Sequence, residues 1–171
     1  MLTLALDPSL AETGVADLDQ KTERVVTTLA IKTNPAHPEQ DWLQVLQEGL
    51  AKLIKKLKPA DLAVELPFVG VNPDTALKLG GVRGMILTLA NLHHLRVYEY
   101  TTFEIKQTVS GNRTADKEQV RRMVKRLTGI SVANDNISDA IAVGLCHLRH
   151  RKFQQAVARE REASPAKTRG A

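Results

Sequence analysis

The sequence has little cysteine, little aromatic character and no long apolar run. Its single cysteine, Cys146, sits in an apolar stretch of helical character. One thiol cannot build a disulfide framework or a zinc cluster, so Cys146 reads as a buried core residue. Aromatic residues make up 4% of the chain, which leaves few side chains for the stacking platforms of single-strand binders. No apolar stretch approaches the roughly 20 residues of a membrane span. Leu2 to Leu6 is apolar but short, an acid follows at once, and no basic region precedes it. That is not the pattern of a signal peptide. A cytoplasmic protein with no membrane partner is expected. Internal repeats are lacking too.

What is present is basic. Lys and Arg outnumber Asp and Glu by 24 to 19, and the pI is near 9.5. Much of the surplus lies after residue 105, on one predicted helix and on the tail. Such a balance points toward a polyanionic partner. The length of 171 residues and the 43% hydrophobic content suit one domain with one core. That domain spans 1–150. Residues 151–171 form a basic extension. Its first part continues the last helix, and from about Ala163 it has the composition of a disordered tail.

Leu2 to Asp7 reads as a buried strand that ends in a carboxylate. Thr13 to Leu18 and Arg24 to Ile31 read as two more strands, and the short connections predict an antiparallel meander. Asp41 to Leu57 carries Leu43, Leu46, Leu50, Leu53, Ile54 and Leu57 at helical spacing. Lys52, Lys55, Lys56 and Lys58 near its end either answer the helix dipole or face a polyanion. Asp61 to Glu65 is a fourth strand, again ending in a carboxylate. Asn72-Pro73-Asp74 starts a helix, with Asn as N-cap and Pro in first position, that runs to about His93. Arg96 to Tyr100 is a fifth strand and Phe103 to Val109 a short helical segment. Thr114 to Leu127 and Ile137 to about His150 are two further helices. Strands first, then alternation of strand and helix, predict an α/β domain with a mixed sheet and helices on both faces.

Asp7 and Glu65 end buried strands, where a lone ionised carboxylate is costly. Each should be paired or bound to a cation. If the first and fourth strands are parallel neighbours, both acids emerge at the carboxyl edge, where open α/β sheets bind ligands. Two carboxylates without cations nearby in sequence suit Mg²⁺. Asp139 heads the last helix, where alone it is a favourable first-turn acid. With the other two it makes a set able to hold two metals around a phosphodiester.

The helix from Thr114 has an apolar stripe of Val120, Met123, Val124 and Leu127. Lys117, Arg121 and Lys125 line another face, with Arg122 and Arg126 beside them; that face is either solvated or set against phosphate. Lys117 lies in the first turn, where the helix dipole disfavours a cation. Phe68, in the loop LPFVGVNPD, is either packed down or exposed to stack on or wedge between bases. Gly80, Gly81 and Gly84 each cost a helix about 1 kcal/mol against alanine. They offer a face for close approach by another helix, of this chain or of a second copy. His93, His94, His147 and His150 lack the ligand set of a zinc site. KLGGVRG lacks the spacing and lysine of a phosphate-binding loop.

Taken in order, these segments resemble the RuvC family of Holliday-junction resolvases, in the RNase H-like (retroviral integrase) superfamily. LALDPSLAETGVA is similar to the family's first motif, Asp-Pro-Gly followed by Thr-Gly, and AVELPFVGVNPDTALKLGGVRG to its second. EYTTFEIKQTVSGNRTADKEQV and SDAIAVGLCH are similar to the third and fourth, and the order holds to about His150. The resemblance implies an RNase H-like fold with a five-stranded mixed sheet. It implies a Mg²⁺-dependent endodeoxyribonuclease with two ions per site, held by Asp7, Glu65 and Asp139. Lys106 and Lys117 match lysines tied to DNA binding and catalysis, and Phe68 an aromatic that contacts bases. With Arg121, Arg122 and Lys125 they form the expected DNA-binding set. The helix from Asn72 to His93 matches the one across which the family dimerises. A homodimer would bind a four-way junction and nick it symmetrically, leaving 5′-phosphate and 3′-hydroxyl ends. A branch-migration complex is a further implied partner.

Two departures stand out. Ser9 falls where bacterial resolvases usually have Gly, and a DPS motif is also similar to that of phage-borne relatives. Asn136 falls where the family usually has Asp, or in some members His. Asn136 would be a neutral fourth metal ligand; Asp135 is the alternative if the helix begins early enough, and otherwise an N-cap. A site one charge short would bind metal less tightly or prefer Mn²⁺. Two rival functions follow: a junction-binding protein with weak or no nuclease activity, and the same fold acting on flaps or RNA.

Overall fold

The computed structural model describes residues 1–66 and 72–163. One sheet contains β1 (Leu2–Asp7), β2 (Glu12–Asp19), β3 (Val25–Lys32), β4 (Asp61–Glu65) and β5 (Arg96–Tyr100). Their order is β3-β2-β1-β4-β5. β1, β2 and β3 pair antiparallel, and β1, β4 and β5 pair parallel. The predicted meander and mixed sheet are both present. The helices are α1 (Glu39–Leu57), α2 (Pro73–Leu92), α3 (Thr102–Ser110), α4 (Lys117–Thr128) and α5 (Asp135–Ala163). Among the described residues no helix is long and apolar enough to cross a membrane.

Strand alternation divides the core into two layers. On one face Leu4, Leu6, Leu62 and Val64 meet Trp42, Leu46 and Leu50 of α1 and Val82 and Ile86 of α2. On the other face the strands present Ala5, Ala16 and Ala63 to α3, α4 and α5. Those small residues let α5 lie close to the sheet. A Cβ on Gly144 would come 2.2 Å from Leu18 Cδ1 and 3.2 Å from Ala5 Cβ. Cys146 is fully buried in this layer.

Four helix starts differ from expectation: α1 and α3 begin at Glu39 and Thr102, ahead of Asp41 and Phe103, and capping explains the other two. α4 begins at Lys117 rather than Thr114. Asn112 Oδ1 accepts the Thr114 N–H, and Asp116 becomes the N-cap in a reciprocal pair with Gln119, so Thr114 and Ala115 belong to a turn. α5 begins at Asp135 rather than Ile137, because Asn134 Oδ1 accepts the Ile137 N–H at 3.0 Å. At its other end α5 runs through residue 150 to Ala163 without a break. Phe68 and the tail beyond Ala163 lie outside the described residues.

The far edge of the sheet anchors α5. Asp61, at the start of β4, is fully buried and meets Arg96 and Arg151 at 2.7 Å each and Gln20 Nε2 at 2.8 Å. His147 of α5 lies 3.3 Å from the same carboxylate, and its other ring nitrogen is 2.9 Å from the Tyr100 hydroxyl. A carboxylate this deep is tolerable only with such partners. The network pins the middle of α5, and so fixes where its N-terminal end meets the sheet.

Candidate active site

The parallel pairing of β1 with β4 sets Leu6 opposite Val64, so Asp7 and Glu65 follow side by side at the carboxyl edge. Leu6 and Val64 face α1 and α2, so the next residue on each strand turns to the α5 face. There the first turns of α5 bring Asn136 and Asp139. Asp7, Glu65, Asn136 and Asp139 line one cleft of about 310 Å³ together with Lys106 of α3 and Lys117 of α4. The Lys117 ammonium lies 3.9 Å from Asp139 Oδ2. Thr102, at the start of α3, donates its hydroxyl to Glu65 Oε1 at 2.5 Å.

The electrostatics are those of carboxylates held apart from water and close to one another. The Asp7 carboxyl is pushed up to about 7, first by burial, then by Glu65 and Asp139, with Lys117 opposing. Burial also raises Glu65, against the Thr102 hydrogen bond, and raises Asp139, against Lys117. Such a set gains from a positive charge in its midst. Its donors are all oxygens: three carboxylates and the Asn136 amide. Oxygen donors suit a hard divalent cation such as Mg²⁺, so the residues present fit the ion. Among the described residues no three His, Cys, Asp or Glu side chains enclose an ion by themselves.

The N-terminus of α5 separates the two candidates for the fourth position. Asn136 lines the cleft. Asp135 sits in the first turn but points away, with its carboxylate 3.6 Å from Arg121. Arg121 also binds Glu118 at 2.5 Å. With Arg122 and Lys125 it lines a second groove of about 430 Å³ between α4 and residues 130–133, beside the cleft rather than in it. The predicted basic residues therefore fall into two groups: Lys106 and Lys117 at the carboxylates, and Arg121, Arg122 and Lys125 along the flank.

One carboxylate escaped the sequence reading. Glu12, at the start of β2, accepts hydrogen bonds from the Asn134 and Asn136 side-chain amides. The Asn134 bond is the main cause of its lowered pKa, with Asn136 and Lys32 adding to it. The signal was thin: an acid directly before Thr13-Gly14. Gly14 itself is a close-approach glycine. A Cβ there would stand 1.9 Å from the Asn136 carbonyl oxygen.

A sheet of this order, with acids ending β1 and β4 and a third near the start of the last helix, defines an RNase H-like protein. The chain belongs to the RuvC family: the family model described as "Crossover junction endodeoxyribonuclease RuvC" matches residues 3–147. A relative of that name from Trichlorobacter lovleyi is 38% identical, with 96% of each chain covered. Another from Paramagnetospirillum magneticum is 38% identical, covering 93% of this chain and 98% of its own. Among solved structures, Thermus thermophilus RuvC in complex with Holliday junction substrate aligns with a TM-score of 0.83 at 25% identity, over 90% of this chain and 96% of that one. The yeast mitochondrial Holliday junction resolvase shares the fold, with a TM-score of 0.61 at 13% identity, over 91% and 83%.

Proposed function

We propose that this protein is a crossover junction endodeoxyribonuclease that binds four-way DNA junctions as a homodimer and resolves them by paired nicks. The observation that carries this reading is the convergence of Asp7, Glu65 and Asp139 in one cleft with Lys106 and Lys117 at its rim. Asp7, Glu65 and Asp139, with the Asn136 amide oxygen, would hold two Mg²⁺ ions. The ions would supply Lewis-acid assistance and charge neutralisation for phosphodiester hydrolysis, leaving 5′-phosphate and 3′-hydroxyl ends. Lys117, with its ammonium near Asp139, neutralises charge on the scissile phosphate. Lys106 lowers the charge beside Glu65. Arg121, Arg122 and Lys125 hold the backbone of the flanking duplex, where they act through charge and not through sequence. We place the protein in the cytoplasm, alongside its DNA substrate.

A dimer supports paired cutting, because a two-fold junction needs two sites related by a two-fold axis. α2 offers a surface for it: an added Cβ on Gly80 or Gly84 meets nothing within 4 Å. The test is a nicking assay on a synthetic four-way junction, with a flap and an RNA hairpin beside it, under Mg²⁺ and under Mn²⁺. Junction nicking by the wild type, abolished in Asp7→Asn with binding retained, is the expected result. Binding without nicking under both metals would make the protein a junction binder. Preferential cutting of the flap or the RNA would change the substrate.

A further inference from the structure

The two departures from the family's motifs, Ser9 and Asn136, meet at one residue. Ser9 Oγ donates to the Glu12 carbonyl at 2.8 Å and accepts the Glu12 N–H at 3.2 Å. This closes the β1–β2 turn and fixes where Glu12 begins its strand. The Glu12 side chain, 19% exposed, then reaches α5. Its Oε1 accepts from Asn134 Nδ2, and from Asn136 Nδ2 at 3.3 Å. Asn134 in turn caps α5 through its Oδ1.

A carboxylate only accepts hydrogen bonds. The end of the Asn136 amide that turns to Glu12 must therefore be the NH₂, and Oδ1 is left for the cleft that Asn136 lines. A free asparagine would present either end. Gly14 holds the same pair in place from the backbone side, because its lack of a Cβ lets the Asn136 carbonyl rest against β2. A carboxylate, itself paired with Lys32 at 3.8 Å through Oε2, thus lies one hydrogen bond behind position 136.

We propose that Glu12 is a positioning residue of the cleft. It orients the Asn136 amide oxygen toward bound metal, and through that amide it supplies the negative charge that an aspartate at 136 would supply directly. Outer carboxylates that orient a ligand raise its basicity, and losing one typically weakens metal affinity about 10–100-fold. The inference rests on the metal-dependent reading of the cleft.

The test is Mn²⁺ uptake by the full chain without DNA, read as loss of the free-Mn²⁺ paramagnetic resonance signal, with melting temperature as the folding control. Glu12→Gln keeps the shape but can also donate, so the Asn136 amide is no longer held one way round. It should bind Mn²⁺ about 10–100-fold more weakly. Glu12→Gln combined with Asn136→Asp reverses the polarity of the pair: the new glutamine donates to a ligand that now carries the charge. That double variant should recover wild-type affinity or better and match Asn136→Asp alone, whereas a merely structural loss from Glu12→Gln would lower Asn136→Asp by the same factor. In the wild type, without any substitution, one Asn136 amide proton should exchange slowly with solvent.

Wild-type affinity in Glu12→Gln, or no recovery in the double variant, would overturn the proposal. If Glu12→Gln does not fold, rapid exchange of both Asn136 amide protons in the wild type would do so instead. Absence of Mn²⁺ uptake by the wild type is a different result. It would sink the metal-dependent reading beneath the proposal.

Discussion

Asp7 carries the plainest conflict between stability and function in the molecule. Its folded carboxyl titrates at about 7, against 3.8 in an unfolded chain, because burial and two acid neighbours disfavour its charge. The folded state therefore binds this proton more tightly. Its contribution to stability is complete below pH 3.8 and is lost as pH rises through 7. Asp7→Asn removes that penalty. In metal-free protein at pH 8 the variant should melt above the wild type, by about 2–8 °C for a gain on the order of 1–2 kcal/mol. The gain should shrink toward zero below pH 4, and scanning calorimetry across pH reads both limits. Lys117 presents the opposite case. Its side chain is 75% exposed, so its removal costs little stability. Lys117→Ala should lower nicking about 10²–10³-fold, in the range found for loss of a group that stabilises transition-state charge, while junction affinity changes only a few-fold. Single-turnover cleavage beside a binding titration separates the two effects.

At the scale of elements, the cleft is made by where strands end and helices begin. The carboxyl ends of β1 and β4 were legible in sequence, since each is an apolar run closed by one acid. Asp139 was legible for a similar reason, as an acid at the head of an apolar helix. Glu12 was not. Its meaning depends on contact with Asn136, 124 residues away, and no periodicity within β2 encodes that pairing. The starts of α4 and α5 were misplaced because Asp116 and Asn134 cap more strongly than the apolar patterns following them suggest. Gly14 belongs to the same unread layer: the sequence displays a glycine, but only the packing of β2 against α5 gives it a task. Gly14→Ala would drive a Cβ to within 1.9 Å of the Asn136 carbonyl oxygen, which is backbone and cannot swing aside. The strand or the head of α5 must move. We expect a loss of about 1–3 kcal/mol, as for other overpacked sites, together with loss of nicking. Gly144→Ala is the comparison. Its closest neighbour, Leu18 Cδ1 at 2.2 Å, ends a flexible side chain, so denaturant unfolding should register a smaller loss and the cleft should still work.

The whole molecule has one face whose composition opposes its own helix. Along α2, Leu77 is 77% exposed, and Gly80 and Gly84 lie in open space on the same side. Within one chain these glycines only weaken the helix, and alanine at either should stabilise an isolated monomer by about 1 kcal/mol. In a two-fold dimer closed through α2 they would let two helix backbones approach, and each added methyl would meet its symmetry mate. The two situations give opposite signs for one substitution. Gly84→Ala should raise the melting temperature of dilute, monomeric protein while weakening self-association, read by sedimentation equilibrium across concentration. Leu77→Glu should shift the mass toward monomer more strongly, by placing like charges opposite one another. Phe153, 69% exposed on the projecting end of α5, is the control, since Phe153→Ser should leave the mass unchanged if α2 carries the interface. Weaker association should also uncouple the two cuts, so that Leu77→Glu yields singly nicked junctions in excess over resolved products. An unchanged mass in both α2 variants, with a change in Phe153→Ser, would move the dimer to the far end of α5 and give the open glycines of α2 no partner.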